Sequence, residues 1–152
     1  MDCAVSYYEK DIEQALITHL QDFLLELGNG FSFVARQKRI HISGDEFRID
    51  LVFYNRLLQC FVLFDIKMDK ITHQDLGQLQ MYVNYYDRDI KESFENPTIG
   101  VLLCADKNEA VVRYSLPENN KQIFASKYIT HLPSEEELLL EIRKELDKFE
   151  SL

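Results

Sequence analysis

A chain of 152 residues, 46% hydrophobic with three prolines and five glycines, has material for one packed core and excludes a disordered or low-complexity protein. Its longest apolar runs, such as Phe61–Phe64 and Ile99–Ala105, are far too short to span a bilayer, and Met1–Glu9 lacks the basic flank and apolar stretch of a signal peptide. The net charge of −9 weighs against a nucleic-acid partner without vetoing one, while Cys3, Cys60 and Cys104 fit reduced thiols in a cytoplasmic protein and give no zinc spacing.

In chain order, Glu9 to Leu27 reads as an amphipathic helix. Ile12, Leu16, Leu20, Phe23, Leu24 and Leu27 recur at spacings of three and four, and Gly28-Asn29-Gly30 stops it. Phe31–Ile42 reads as a strand ended by the turn Ser43-Gly44-Asp45. Two further strands follow, Phe47–Tyr54 and Cys60–Lys67, joined across Asn55–Gln59. A helix is expected from about Thr72, its N-cap, to Asp87, with Leu76, Leu79, Val83 and Tyr86 as its apolar stripe. Ile99–Ala105 is apolar throughout and so predicts a strand covered on both faces, inside the sheet. Asp106 with Glu109 looks like a helix start, running to Leu116, and Gln122–Ile129 is the last expected strand. Ser134 with Glu137 opens a final helix facing inward through Leu138, Leu139, Ile142, Leu146 and Phe149. The order is α-β-β-β-α-β-α-β-α, and no linker divides it. This predicts one α/β domain over residues 1–152, a mixed sheet flanked by helices.

The chemistry concentrates in the strand pair. Asp50 and Asp65 are fifteen positions apart across one turn, so a hairpin sets them roughly opposite each other. Alternation puts Asp65 and Lys67 on one face and Ile66 on the other. It also assigns Phe47, Ile49, Leu51 and Phe53 to one face, with Arg48, Asp50, Val52 and Tyr54 on the other. A lone strand carboxylate is commonly a solvated residue, but these two interrupt strongly apolar strands close to a strand end. Facing carboxylates repel unless a cation sits between them, and a divalent ion that prefers oxygen ligands fits. Mg²⁺ is the expected cofactor, with Mn²⁺ able to substitute. Asp50 and Asp65 are the expected ligands, with the Ile66 carbonyl as a further one, and Lys67 is expected to hold the attacking water or to steady the charged transition state. Arg36, Lys38 and Arg39 form a basic cluster suited to phosphate-backbone contacts. His19, His41, His73 and His131 show no ligand spacing.

An Asp…(Asp/Glu)-x-Lys set on a strand pair, in α-β-β-β-α-β order, resembles the PD-(D/E)XK nuclease superfamily with its restriction-endonuclease-like core, here with a C-terminal strand and helix added. The segments Phe23–Gly28, Phe31–Gln37, Ile49–Tyr54, Gly77-Gln78 and Ile99–Cys104 resemble, in order, the nuclease domain of the bacterial YhcG-type family. The resemblance runs from about Tyr8 to Pro133. It implies a metal-dependent endonuclease hydrolysing DNA, with Asp50, Asp65, Lys67 and Gln78 as catalytic residues. It also implies a glutamate from the first helix at the metal, for which Glu13 is the choice over Glu26. Gln78, and Tyr82 one turn on, are implied to orient substrate phosphate or water. Asp65-Ile66-Lys67 stands where the family more usually has Glu-Leu-Lys, so metal geometry is expected to shift. Family members also carry a preceding N-terminal region, which makes this chain a fragment or a stand-alone variant. The rival expectation is a catalytically inactive, nuclease-derived module that binds DNA or protein. Partners are thus DNA and no membrane, with a homodimer left open.

Overall fold

The computed structural model describes residues 2–27 and 29–127; the expected final helix and residues 128–129 of the last expected strand lie outside them. The element order is α1 (Asp2–Leu27), β1 (Phe31–Ile42), β2 (Asp45–Asn55), β3 (Cys60–Lys70), α2 (His73–Tyr85), β4 (Ile99–Asp106), α3 (Glu109–Ser115) and β5 (Ile123–Lys127). The strands form one sheet in the order β1-β2-β3-β4-β5. The first three run antiparallel through short turns, whereas β3, β4 and β5 are parallel and are joined through α2 and α3. A parallel neighbour needs a long crossover, which is why a helix follows each of β3 and β4.

Alternation along β3 and β4 decides which layer each side chain joins. Val62, Phe64, Ile99, Val101 and Leu103 pack under Leu16, Ile17, Leu20, Phe23 and Leu24 of α1. Leu63, Leu102 and Cys104 pack under Leu76, Leu79, Tyr82 and Val83 of α2. The apolar run of β4 therefore serves two helical layers, and β4 lies inside the sheet as its composition requires. Each fully buried aliphatic side chain contributes about 1.5–3 kcal/mol. At Gly100 the fit is tight: a Cβ there would meet Val83 Cγ2 at 2.8 Å and Leu79 Cγ at 3.0 Å, so α2 packs on bare backbone.

Local chemistry sets the boundaries. Asn55, buried at the end of β2, accepts the N–H groups of Leu57 and Leu58 at 3.0 Å each and so fixes the turn and the β2–β3 register. Thr72 caps α2 as expected, in a reciprocal box with Asp75. The helix does not stop cleanly at Asp87. It widens into a π-helical turn, Tyr86–Ile90. Within that turn the Asp87 carboxylate accepts the Thr98 N–H at 2.8 Å and the Gln122 side-chain amide at 2.7 Å, tying the starts of β4 and β5 together. The N-cap of α3 is Asn108, not Asp106, because Asp106 still belongs to β4, where its carbonyl accepts the Ile71 N–H at 3.0 Å.

Candidate active site

The ladder between β2 and β3 runs from Asn55↔Cys60 to Leu51↔Phe64 and stops there. One step further, Asp50 and Asp65 come opposite each other, and the two strands part. β3 continues beside β4 through Asp65↔Leu102 and Lys67↔Cys104, while β2 stays with β1. Side chains replace the missing backbone rungs. Asp65 Oδ1 accepts the Asp50 N–H at 3.0 Å, and Asp50 Oδ2 accepts the Ile66 N–H at 2.8 Å. Each carboxylate thus spends one oxygen on the backbone of the opposite strand.

The parting comes with a change of face that alternation did not foresee. Leu51 and Phe53 pack under α1, but Ile49 and Phe47 pack on the α2 side. The four were expected on one face; the switch falls at Asp50. Across the hairpin, between the pairs Arg36↔Leu51 and Lys38↔Ile49, lies Gln37 with φ of 51°. A left-handed residue in a strand breaks the pleat, so the hairpin changes phase there and turns its outer half across α2.

A cleft of about 310 Å³ opens where the strands diverge. It is lined by Glu13 of α1, by Glu46, Phe47, Arg48 and Asp50 of β2, by Asp65, Ile66 and Lys67 of β3, by Asp75, Gln78 and Tyr82 of α2, and by Leu102 of β4. Five acids against two bases give it a strongly negative character. Burial pushes the Asp50 carboxyl up to about 6; Glu13 adds to the rise, while the Ile66 N–H and Arg48 oppose it. Burial and then repulsion from Asp50 push Asp65 up to about 8. Both groups are held in a state that a cation would relieve.

A metal fits this donor set within limits. Mg²⁺ keeps several waters and is often held by only one or two carboxylates, which is what Asp50 and Asp65 offer. Among the described residues, no three of His, Cys, Asp and Glu form a cluster able to hold an ion. Glu13, the expected acid from the first helix, lies at the cleft. It acts on both aspartates through space. Glu26, the alternative, is exposed and does not line the cleft.

Lys67 lies on the α2 side with Asp65, and Ile66 packs towards α1, as alternation required. Gln78 is exposed at the cleft. Of the four expected DNA contacts, Tyr82 lines the cleft and Arg36, Lys38 and Arg39 do not. Tyr82 is 1% exposed and donates its hydroxyl to the Arg48 carbonyl at 3.3 Å, with its ring edge-on to Phe47, so it is a wall of the cleft and no stacking surface. Arg36 is turned onto α1, where its guanidinium bonds Thr18 Oγ1 at 2.8 Å and Gln14 Oε1 at 3.0 Å. Arg39 is exposed and pairs with Glu46 at 3.4 Å; neither it nor the exposed Lys38 lines the cleft. Three charged cleft residues, Glu46, Arg48 and Asp75, had no role expected from the sequence; Arg48 is next but one to Asp50, and Asp75 lies three residues after the cap residue Thr72.

A mixed sheet in this order, sandwiched by helices and carrying an acid pair and a lysine at the parting of two strands, defines a restriction-endonuclease-like PD-(D/E)XK domain. The model of the YhcG PDDEXK nuclease domain matches residues 1–147, and the chain belongs to that family. It is 43% identical over 136 residues to the Escherichia coli (strain K12) protein named "Putative nuclease YhcG". That match covers 90% of this chain and 36% of the relative, so the chain spans about a third of that protein's length. Among solved structures, a repair endonuclease from Pyrococcus abyssi superposes with a TM-score of 0.54 at 16% identity, over 82% of this chain and 47% of the other. EndoMS in complex with dsDNA gives 0.52 at 15%, over 82% and 45%. At these identities the likeness concerns the fold.

Proposed function

We propose that this nuclease-family domain hydrolyses DNA phosphodiester bonds as a divalent-cation-dependent endonuclease, with Mg²⁺ as its ion and Mn²⁺ as a substitute. The observation that carries the reading is the crossed pair of carboxylates, Asp50 and Asp65, at the point where β2 and β3 separate, with Lys67 in the same cleft. The oxygens not used across the strands, with the Ile66 carbonyl, would hold the cation. Bound there, Mg²⁺ supplies Lewis-acid polarisation of the phosphate and a more acidic water. The chain's own groups do the rest. Lys67 places a positive charge beside the phosphoryl oxygens and can steady the attacking water. Gln78 presents an amide that both donates and accepts at the cleft, suited to aligning water or phosphate. Buried Tyr82 keeps the wall rigid and dry. The acidic lining makes binding of a polyanion depend on the cation. Duplex DNA is the first substrate to test because a protein of the same fold is known in complex with it. In this reading the whole chain is one such domain, working in the cytoplasm, and cutting both strands calls for a symmetric pair.

The rival is a nuclease-derived module that binds DNA or protein without cutting. It draws on the lack of a three-acid cluster among the described residues. Incubation of linear, branched and single-stranded DNA with Mg²⁺ or Mn²⁺ separates the two. Cleavage is expected, and Lys67→Ala should abolish it while leaving the melting temperature within a few degrees. Intact substrates with the wild-type chain, or cutting that survives Lys67→Ala, would refute the endonuclease assignment.

A further inference from the structure

We infer that Asp75 is the positioning residue for Lys67, a role that rests on the endonuclease reading of the same cleft. Asp75 sits at the third position of α2, where one of its oxygens is already committed. Oδ2 accepts the Thr72 N–H at 2.8 Å and the Thr72 hydroxyl at 2.9 Å, and Thr72 Oγ1 accepts the Asp75 N–H in return at 3.3 Å. The cap therefore fixes the carboxylate plane. Oδ1, the other oxygen, is held towards β3 and lies 3.4 Å from Lys67 Nζ.

The lysine side chain is about a third exposed and that of Asp75 half as much, so the pair is far less screened than one on an open surface. A free lysine explores many rotamers on a flexible stem. Here its ammonium is anchored to the first turn of a helix that Leu76 and Leu79 lock onto the sheet. Asp75 also acts on Asp65 through space, which places it within the electrostatic reach of the crossed acids. One carboxylate thus begins α2 and aims the cation of the catalytic set, so the helix start and the site geometry are set together. The two oxygens of Asp75 thus meet Thr72 and Lys67 separately.

The test uses Asp75→Asn and Asp75→Glu in the full chain. Both can accept the Thr72 N–H, so a purely capping role would be disturbed by neither. The first readout is the ¹⁵N signal of the Lys67 ammonium group, assigned by its loss in Lys67→Arg. It is expected in the wild type at low temperature, lost to solvent exchange in Asp75→Asn, and regained in Asp75→Glu. The second is turnover: kcat should fall about 10- to 100-fold in Asp75→Asn with KM little changed, and recover substantially in Asp75→Glu. An ammonium signal unchanged in Asp75→Asn, or an Asp75→Glu protein as slow as Asp75→Asn with its melting temperature intact, would overturn the assignment. A wild type that cuts nothing, while Asp75→Asn still erases the signal, would sink the endonuclease reading and leave the pairing standing.

Discussion

At the scale of single residues, Asp50 and Asp65 carry a pH signature. In the metal-free protein both carboxyls hold their protons to higher pH than the ~3.9 of an unfolded aspartate, about 6 for Asp50 and about 8 for Asp65, because burial and mutual repulsion penalise their charges. Between pH 4 and 8 the folded chain therefore binds more protons at this pair than the unfolded chain does. Stability from the pair is complete below about pH 4 and is lost as pH rises through about 6 and then 8. Asp65→Asn keeps an acceptor for the Asp50 N–H and removes one charge. In EDTA its melting temperature should equal the wild type's near pH 4 and exceed it increasingly towards pH 9. A constant difference across that range would show that the two acids are not coupled in the fold.

At the scale of elements, the close seat of α2 on β4 is the most exposed to test. Gly100→Ala puts a methyl within 2.8 Å of Val83 Cγ2 and 3.0 Å of Leu79 Cγ, so it should cost about 1–3 kcal/mol by overpacking. Chemical denaturation measures this directly; a neutral result would mean that α2 rides further off the sheet. Legibility in the sequence follows the same scale. The opposition of Asp50 and Asp65 was readable because a short turn and a period of two fix a hairpin's register. The two-faced burial of β4 was readable from its unbroken apolar run. The face switch at Asp50 was not, since its partner is Gln37, and no glycine marks that left-handed position. At Tyr82 the sequence is ambiguous, because a position between Leu79 and Tyr86 can fall on either side of a helix stripe; here Phe47, carried across α2 by the switched hairpin, closes over it. Thr72 was legible as a cap, but the pairing of Asp75 with Lys67 was not, because local pattern says nothing about which strand a helix start meets. Arg36 is a similar case: a basic run predicts charge, and only the docking of α1 shows which side chains its guanidinium meets.

At the scale of the whole molecule, the −9 charge and the acidic cleft bear on how the fold, its ion and its substrate depend on one another. A cleft with five acids and two bases destabilises itself when empty and repels phosphate. One divalent cation between Asp50 and Asp65 relieves both problems, so ion binding is expected to register as fold stability. For a ligand that binds only the folded state, a hundredfold excess over Kd adds about 2.7 kcal/mol, or roughly 5–10 °C for a chain of this size. Mg²⁺ at saturating concentration should raise the melting temperature by that order, and more at pH 8 than at pH 5.5, where protons compete for the same oxygens. The shift should vanish in a protein carrying both Asp50→Asn and Asp65→Asn, and persist in Lys67→Ala, which keeps the ligands. A non-cutting module has no need of the ion and should give no shift. If Mg²⁺ and Mn²⁺ leave the wild type's melting curve unchanged at every pH, the crossed acids are only a structural splice between parting strands.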